Sequence, residues 1–72
     1  MLYAENLKKA YLKGANLTKA ILVYADLTEA NLTNTGLTKA HLENATNFNT
    51  ADTTGARFCR TIMPDASTNN SE

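Results

Sequence analysis

The chain has 72 residues, of which 43% are apolar, and seven basic and seven acidic side chains give a formal net charge of zero. This length allows one small domain, and net charge gives no argument for a nucleic-acid, acidic-substrate or membrane-surface partner. The single cysteine, Cys59, excludes an intrachain disulfide. No stretch approaches the roughly 18 apolar residues of a membrane span. We expect a soluble cytoplasmic protein, with a lumenal or periplasmic location after signal removal as the open alternative.

Leucines recur with a strict period of five along the first part of the chain. They are Leu2, Leu7, Leu12, Leu17, Leu22, Leu27, Leu32, Leu37 and Leu42. On an α-helix, successive leucines would lie about 140° apart and form no single stripe. In a straight strand, an odd spacing would place them on alternate faces. The pattern therefore predicts a chain that takes a short extended step, turns and repeats, and that buries its leucines by stacking coil on coil.

Most of these leucines follow an alanine by two residues, and several follow Asn or Asp directly, as in Ala15-Asn16-Leu17 and Ala25-Asp26-Leu27. These units resemble the pentapeptide repeat family, and the resemblance covers most of the chain. It implies an all-β fold, a right-handed quadrilateral β-helix with four pentapeptides per coil. With that geometry the chain would form about three coils, and we expect this solenoid to occupy residues 1–65.

The repeat changes after Ala45. The later units centre on Phe48, Thr53, Phe58 and Met63. These centres are one residue out of register with the leucines, so one extra residue must bulge out between Ala45 and Phe48. Pro64 cannot donate a main-chain hydrogen bond to a further coil. Residues 66–72 are polar, and we expect them to form a loose C-terminal tail.

Four basic residues are predicted to share one side of the coil. With four units per coil, residues twenty apart stack, or twenty-one apart after the slip. We call the resulting set the basic face: Lys19, Lys39, Arg57 and Arg60. No acidic residue falls on this side, so the face is a candidate for binding an anionic partner, either a phosphate-bearing ligand or an acidic protein surface. The alternative is that these long side chains simply extend into solvent.

A second side of the coil collects apolar side chains. We call them the apolar patch: Tyr3, Ile21, Val23, Tyr24 and Ile62. Such a patch predicts a protein contact or a dimer face, and the alternative is a scatter of ordinary surface apolar residues. His41 falls on the same side. We interpret it as a surface histidine rather than a metal ligand, because no second ligand stands at a suitable spacing.

The sequence does not predict a catalytic site. It contains one histidine and one cysteine, on different sides of the coil, and no glycine-rich phosphate loop or paired-cysteine motif. We therefore expect no enzyme activity, no cofactor and no bound metal. The favoured function is a non-catalytic structural or protein-interaction module. Its partner would be another protein, or a second copy joined through an end or a face of the solenoid.

The resemblance implies a further alternative, because some pentapeptide repeat proteins act as DNA mimics that regulate DNA gyrase. Such mimicry needs a long acidic rod, whereas about three coils at roughly 4.8 Å each span only about 15 Å. The zero net charge and the basic face also argue against it, and we do not expect a nucleic-acid partner. The closing segment, residues 57–65, is similar to that of cyanobacterial family members.

Overall fold

Single β-bridges, rather than long strands, hold the chain in stacked coils. In the computed structural model, which describes residues 6–70, parallel bridges join residues twenty positions apart. They pair Asn6 with Asp26, Tyr11 with Asn31, Asn16 with Gly36, Ile21 with His41, and Asp26 with Thr46. One coil therefore consumes four five-residue units. The repeat units contain isolated bridges instead of regular strands, because each unit offers only one bridging residue before the chain turns.

Each unit is closed by the same main-chain turn. The amide of Ala10 donates to the carbonyl of Leu7 at 3.0 Å, and equivalent bonds recur along the chain as far as Met63. The residue two after the leucine adopts a left-handed backbone, as Lys9 does with φ 58°. That conformation costs a non-glycine residue about 1–2 kcal/mol. It persists because it directs the Lys9 amide to the carbonyl of Thr28 in the next coil, at 2.8 Å.

The outward side of many units is fixed by a side-chain bond that we call the Asx latch. Asp26 Oδ1 accepts hydrogen bonds from the amide of Thr28 at 3.1 Å and from its hydroxyl at 2.6 Å. The carboxylate or amide oxygen thus substitutes for a backbone acceptor in the turn. Full latches form at four units of the repeat: Asn16 with Thr18, Asp26 with Thr28, Asn31 with Thr33, and Asp52 with Thr54. This bond explains why Asn or Asp so often precedes the central residue and Thr follows it.

The core is a column of leucines and alanines along the solenoid axis. Five leucine side chains are completely buried, with 0% exposure: Leu22, Leu27, Leu32, Leu37 and Leu42. Ala25, Ala30 and Ala40 are equally buried between them. Leu7 and Leu12, in the first described coil, are only half-buried against this core. Burial is therefore most complete in the middle of the stack, where coils lie on both sides.

Two threonines in the interior satisfy their hydroxyl groups on the main chain. Thr35 Oγ1 donates to the carbonyl of Leu12 at 2.8 Å. Thr61 Oγ1 donates to the carbonyl of Leu37 at 2.5 Å. Both side chains are completely buried. The substitution of threonine for the usual alanine is tolerated because each hydroxyl finds an acceptor in the coil above.

The predicted bulge is confirmed at Asn47. Asp26 still pairs with Thr46 at a spacing of twenty, whereas Asn31 pairs with Asp52 at twenty-one. Asn47 takes a left-handed backbone, φ 58° and ψ 28°, and a 3-10 helix follows at Phe48–Thr50. The chain then returns to the regular path, with the ring of Phe48 edge-on to that of Phe58 at 6.2 Å between centroids.

The expectation of a loose tail is wrong for residues 66–70. Strand β2, Thr68–Asn69, pairs antiparallel with strand β1, Thr61–Ile62. The turn between them is held by Ser67, whose amide and hydroxyl both donate to Asp65 Oδ1, at 3.0 and 2.6 Å. Asp65 and Ser67 therefore repeat the Asx latch without a leucine between them. The division of the chain at residue 65 stays a prediction.

Candidate interaction surfaces

The backbone places the four residues of the basic face in two columns on one side of the solenoid. The Lys19 amide donates to the Thr38 carbonyl, and the Lys39 amide donates to the Cys59 carbonyl, both at 2.9 Å. Lys19, Lys39 and Arg60 occupy equivalent left-handed corner positions with φ of 63°, 60° and 57°, and all are exposed. Arg57 bridges to Gly36 in a second column of the same side, and the column of Thr38 and Cys59 lies between the two. None of the four side chains forms an ion pair or hydrogen bond with any of residues 6–70.

Acidic residues are unevenly distributed around the solenoid. On the opposite side from the basic face, two units along the coil, Lys8 lies 4.0 Å from Asp26 and Lys9 lies 3.9 Å from Glu29. The acidic residues within 6–70 all belong to units on other sides: Asp26, Glu29, Glu43, Asp52 and Asp65. A chain with zero net charge thus presents one side on which four cations have no described counter-charge. Such a side creates a local positive potential that attracts anions.

A glycine at the middle of the basic face makes room for an arginine. A Cβ atom built on Gly36 would lie 3.4 Å from Nη2 of Arg57 and 4.0 Å from Oδ1 of Asn16. The guanidinium of Arg57 therefore lies against the surface of the coil above it. The space it uses is the space that an Asn or Asp side chain occupies in the latched units.

The described part of the apolar patch is interrupted by a hydrogen-bonded pair of polar side chains. Ile21 and Ile62 flank His41 in one ladder, and His41 Nδ1 lies 3.3 Å from Glu43 Oε2. The other carboxylate oxygen of Glu43 is buried and accepts no hydrogen bond from the residues that the structure describes. Polar groups therefore sit in the middle of this side of the solenoid.

Exposure within the apolar patch is uneven. Ile21, Val23 and Ile62 are half-buried, whereas Tyr24 is 52% exposed. Tyr3 lies outside the described residues. The use of the patch as a protein contact stays a prediction.

Two surface features gave no clear signal in the repeat pattern. Tyr11 is the most exposed of the large apolar residues described, at 73%, and it lies on a side that carries neither the basic face nor the apolar patch. The exposure of Tyr11 could have been predicted from its position, because it stands directly before the central leucine, where other units carry Asn or Asp. The second feature is a cleft of about 520 Å³ between the bulge and the hairpin turn, lined in part by Phe48, Met63 and Pro64. The bulge and the hairpin turn do not follow the leucine period, so the repeat pattern does not predict that they lie side by side.

The single cysteine and the single histidine lie on different sides of the solenoid. Cys59 lies in the column of Thr18 and Thr38 on the basic face, and His41 lies on another side. No three His, Cys, Asp or Glu side chains among residues 6–70 are grouped so that they could hold a metal ion. Over the same range, no helix has the length and apolar character needed to cross a membrane.

The Asx latches formed by aspartates make the stability of the fold depend on pH. In the folded protein the pKa of Asp26 is lowered from its ordinary 3.8, first by the hydroxyl and then by the amide of Thr28. Asp52 and Asp65 have lowered pKa values for the same reason, through Thr54 and Ser67. Because the folded state binds these protons less readily than the unfolded state, the stabilisation is present above pH 3.8 and is lost as the pH falls through the folded pKa values.

We therefore expect the urea midpoint of unfolding to stay level near neutral pH and to fall below about pH 4. Asp26→Asn supplies the control, since Asn16 and Asn31 form the same latch with an amide oxygen that does not titrate. This variant should retain the fold and show a shallower acid limb. If the urea midpoint of the variant fell as steeply below pH 4 as that of the parent, the pH dependence would have to come from other groups.

Comparisons with known proteins agree with the repeat geometry. A family model described as pentapeptide repeats matches residues 10–46 with eight copies. Among solved structures, the chain is similar to HetL, a pentapeptide repeat protein involved in heterocyst differentiation regulation from the cyanobacterium Nostoc sp. strain PCC 7120. The two share 32% identity over 94% of this chain and 36% of that chain, with a TM-score of 0.43. The chain thus spans about a third of the length of HetL. No curated protein matches the chain.

Proposed function

We propose that this chain, which belongs to the pentapeptide repeat family, is a non-catalytic interaction module that binds an anionic surface of another protein through its basic face. The observation that carries the proposal is the alignment of four exposed cations, none paired with a described residue, on one side of an otherwise neutral solenoid. Membership of this family supports a β-helix solenoid. We propose the right-handed quadrilateral form with about three coils, which the twenty-residue pairing supports.

The rigid spacing of the coils favours a binding role for the basic face over a role in which its side chains only extend into solvent. Exposed cations on flexible segments can move apart, but here each corner residue is held by a main-chain bond to the next coil, such as that of Lys39 to Cys59. Neighbouring coils lie about 4.8 Å apart, so the backbones at Lys19 and Lys39 keep their positive side chains close. Like charges at this spacing repel each other, and an anionic partner would relieve that repulsion.

Gyrase regulation by DNA mimicry is a less favoured role for this chain. A mimic of DNA presents negative charge along its length. On this solenoid, the side with charges of a single sign is the basic face, and that sign is positive. A supercoiling assay would test the alternative directly. Inhibition or protection of gyrase by the protein at micromolar concentration would support it against our proposal.

We expect charge reversal on the basic face to weaken binding to an acidic polymer. Poly-L-glutamate can serve as the probe, with affinity measured at increasing salt by fluorescence anisotropy. The wild-type affinity should fall as salt rises, and Lys19→Glu combined with Lys39→Glu should weaken binding by at least about tenfold, a loss equivalent to 1.4 kcal/mol. Circular dichroism would verify that the double variant is folded.

Lys13→Glu combined with Lys8→Glu is the matched control, because it makes the same change in net charge on two other sides of the solenoid. These two lysines occupy the equivalent position one after the central leucine. We expect this control to lose much less affinity than the double variant of the basic face. Equal losses would mean that net charge alone governs binding, and no binding by the wild type at low salt would refute the proposed function.

A further inference from the structure

We infer that Gly36, Thr38 and Arg57 form a site for a single phosphate group at the centre of the basic face. The inference rests on the proposed function and specifies the chemistry of the anion that the face recognises. It depends on one departure from the repeat, the glycine at position 36, which has two separate consequences for the side chains around it.

The first consequence is a free hydroxyl group on Thr38. In the coil above, Asn16 Oδ1 accepts hydrogen bonds from the amide of Thr18 at 3.1 Å and from its hydroxyl at 2.6 Å. Gly36 is the equivalent of Asn16 in the next coil, and it has no side chain with which to form a latch. The Thr38 hydroxyl accordingly makes no hydrogen bond with any of residues 6–70. It is available to donate to a bound anion.

The second consequence is the position of Arg57. Its Nη2 atom would lie only 3.4 Å from a Cβ on Gly36, so its guanidinium occupies the notch that the missing side chain leaves. No residue within 6–70 accepts a hydrogen bond from this group. A guanidinium presents a planar fork of donors that suits the oxygens of phosphate or carboxylate. Here the fork rests against the coil instead of extending into solvent, which reduces the entropy lost on binding.

The number of donors and charges favours phosphate over carboxylate. A phosphate monoester carries three terminal oxygens and a charge of about −1.5 to −2 at neutral pH, whereas a carboxylate has two oxygens and one negative charge. The guanidinium of Arg57 and the hydroxyl of Thr38 can bind two or three oxygens, and Lys19, Lys39 and Arg60 flank the site in the next column. A phosphorylated side chain of a partner protein and a free phosphate ion would present the same chemistry.

Gly36→Asn is the decisive variant. Gly36 does not have a positive φ, so asparagine can adopt its backbone conformation, as Asn16 does at the equivalent position. The new side chain should form a latch with Thr38 and displace Arg57 from its notch, while all four cations of the basic face remain. We expect binding of a phosphoserine peptide, measured by isothermal titration calorimetry, to weaken about tenfold. Binding of poly-L-glutamate should change much less.

Two conservative variants separate the contributions of the two donors. Thr38→Val removes the hydroxyl, and Arg57→Lys keeps the charge but removes the fork. Each should weaken phosphoserine binding at least threefold. Asn31→Gly is the matched control, because it frees the hydroxyl of Thr33 from its latch on a side without arginine, and it should leave phosphoserine binding unchanged.

Inorganic phosphate and the phosphoserine peptide distinguish the two sources of the group. Tighter binding of the peptide supports a phosphorylated protein, and equal binding supports free phosphate, with the same site in both cases. Wild-type affinity for Gly36→Asn, or equal affinity for the phosphoserine peptide and its glutamate analogue, would overturn the inference. Failure of the wild type to bind poly-L-glutamate would instead refute the proposed function.

Discussion

Leu32→Ala should remove a large part of the stability of this protein. Leu32 lies in the middle of the leucine column with 0% exposure, and truncation of such a side chain leaves a cavity and costs about 2–5 kcal/mol. A domain of this length has a total stability of roughly 4–11 kcal/mol. The narrow solenoid cannot fill the cavity by shifting a helix or sheet, because the path of each coil is fixed by bridges to its neighbours.

Urea denaturation followed by circular dichroism would measure this loss. Leu12→Ala is the matched control, since Leu12 stacks above Leu32 in the same column but is only half-buried. We expect the control to lose less than half as much free energy of unfolding as Leu32→Ala. Equal losses at the two positions would show that the leucine column does not depend on coils packed on both sides.

Deletion of a single asparagine should have opposite outcomes at two positions of the chain. Asn34 and Asn47 are both exposed and both have a left-handed backbone with φ 58°. Without Asn47, the spacing of the last three bridges changes from twenty-one to twenty, which is the spacing of the first five. Without Asn34, the bridges of Asn16 to Gly36, Ile21 to His41 and Asp26 to Thr46 lose their spacing of twenty.

We therefore expect the Asn47 deletion to fold, with a loss of no more than about 2 kcal/mol, within the range of ordinary single substitutions. The Asn34 deletion should lack a cooperative unfolding transition, because a shift of one residue turns core side chains outward. Thermal scans and one-dimensional proton NMR would distinguish the two. If both deletions unfold the protein, Asn47 is required for the turn into the 3-10 helix.

The architecture was predictable because one physical requirement repeats along the chain. A leucine every fifth residue can be buried only if the chain turns at the same interval, and the change of centres after Ala45 places the extra residue before Phe48. The candidate basic face could be predicted from the same register, since Lys19 and Lys39 each stand two residues after a central leucine. The number of units per coil came from the resemblance, and the bridges now supply it.

The remaining features could not be predicted, because they depend on side chains that meet across coils. In the sequence, Gly36 is only one of several departures from Asn or Asp before the central residue, and its role depends on the path of the Arg57 side chain. The pairing of His41 with Glu43 in the apolar patch likewise depends on rotamers rather than on register. The C-terminal hairpin was missed because it continues the latch pattern of Asp65 and Ser67 without the leucine period.

The hairpin also affects how the molecule could polymerise. Every bridge within the solenoid is parallel, so a further coil, or the start of another molecule, would need a parallel edge in order to continue the stack. Strand β2 runs antiparallel to β1 and is only two residues long. On this side it presents an outer edge of reversed polarity, and short or irregular edges of this kind protect β proteins from fibre formation. The hairpin therefore opposes the parallel addition of another molecule on this side of the solenoid.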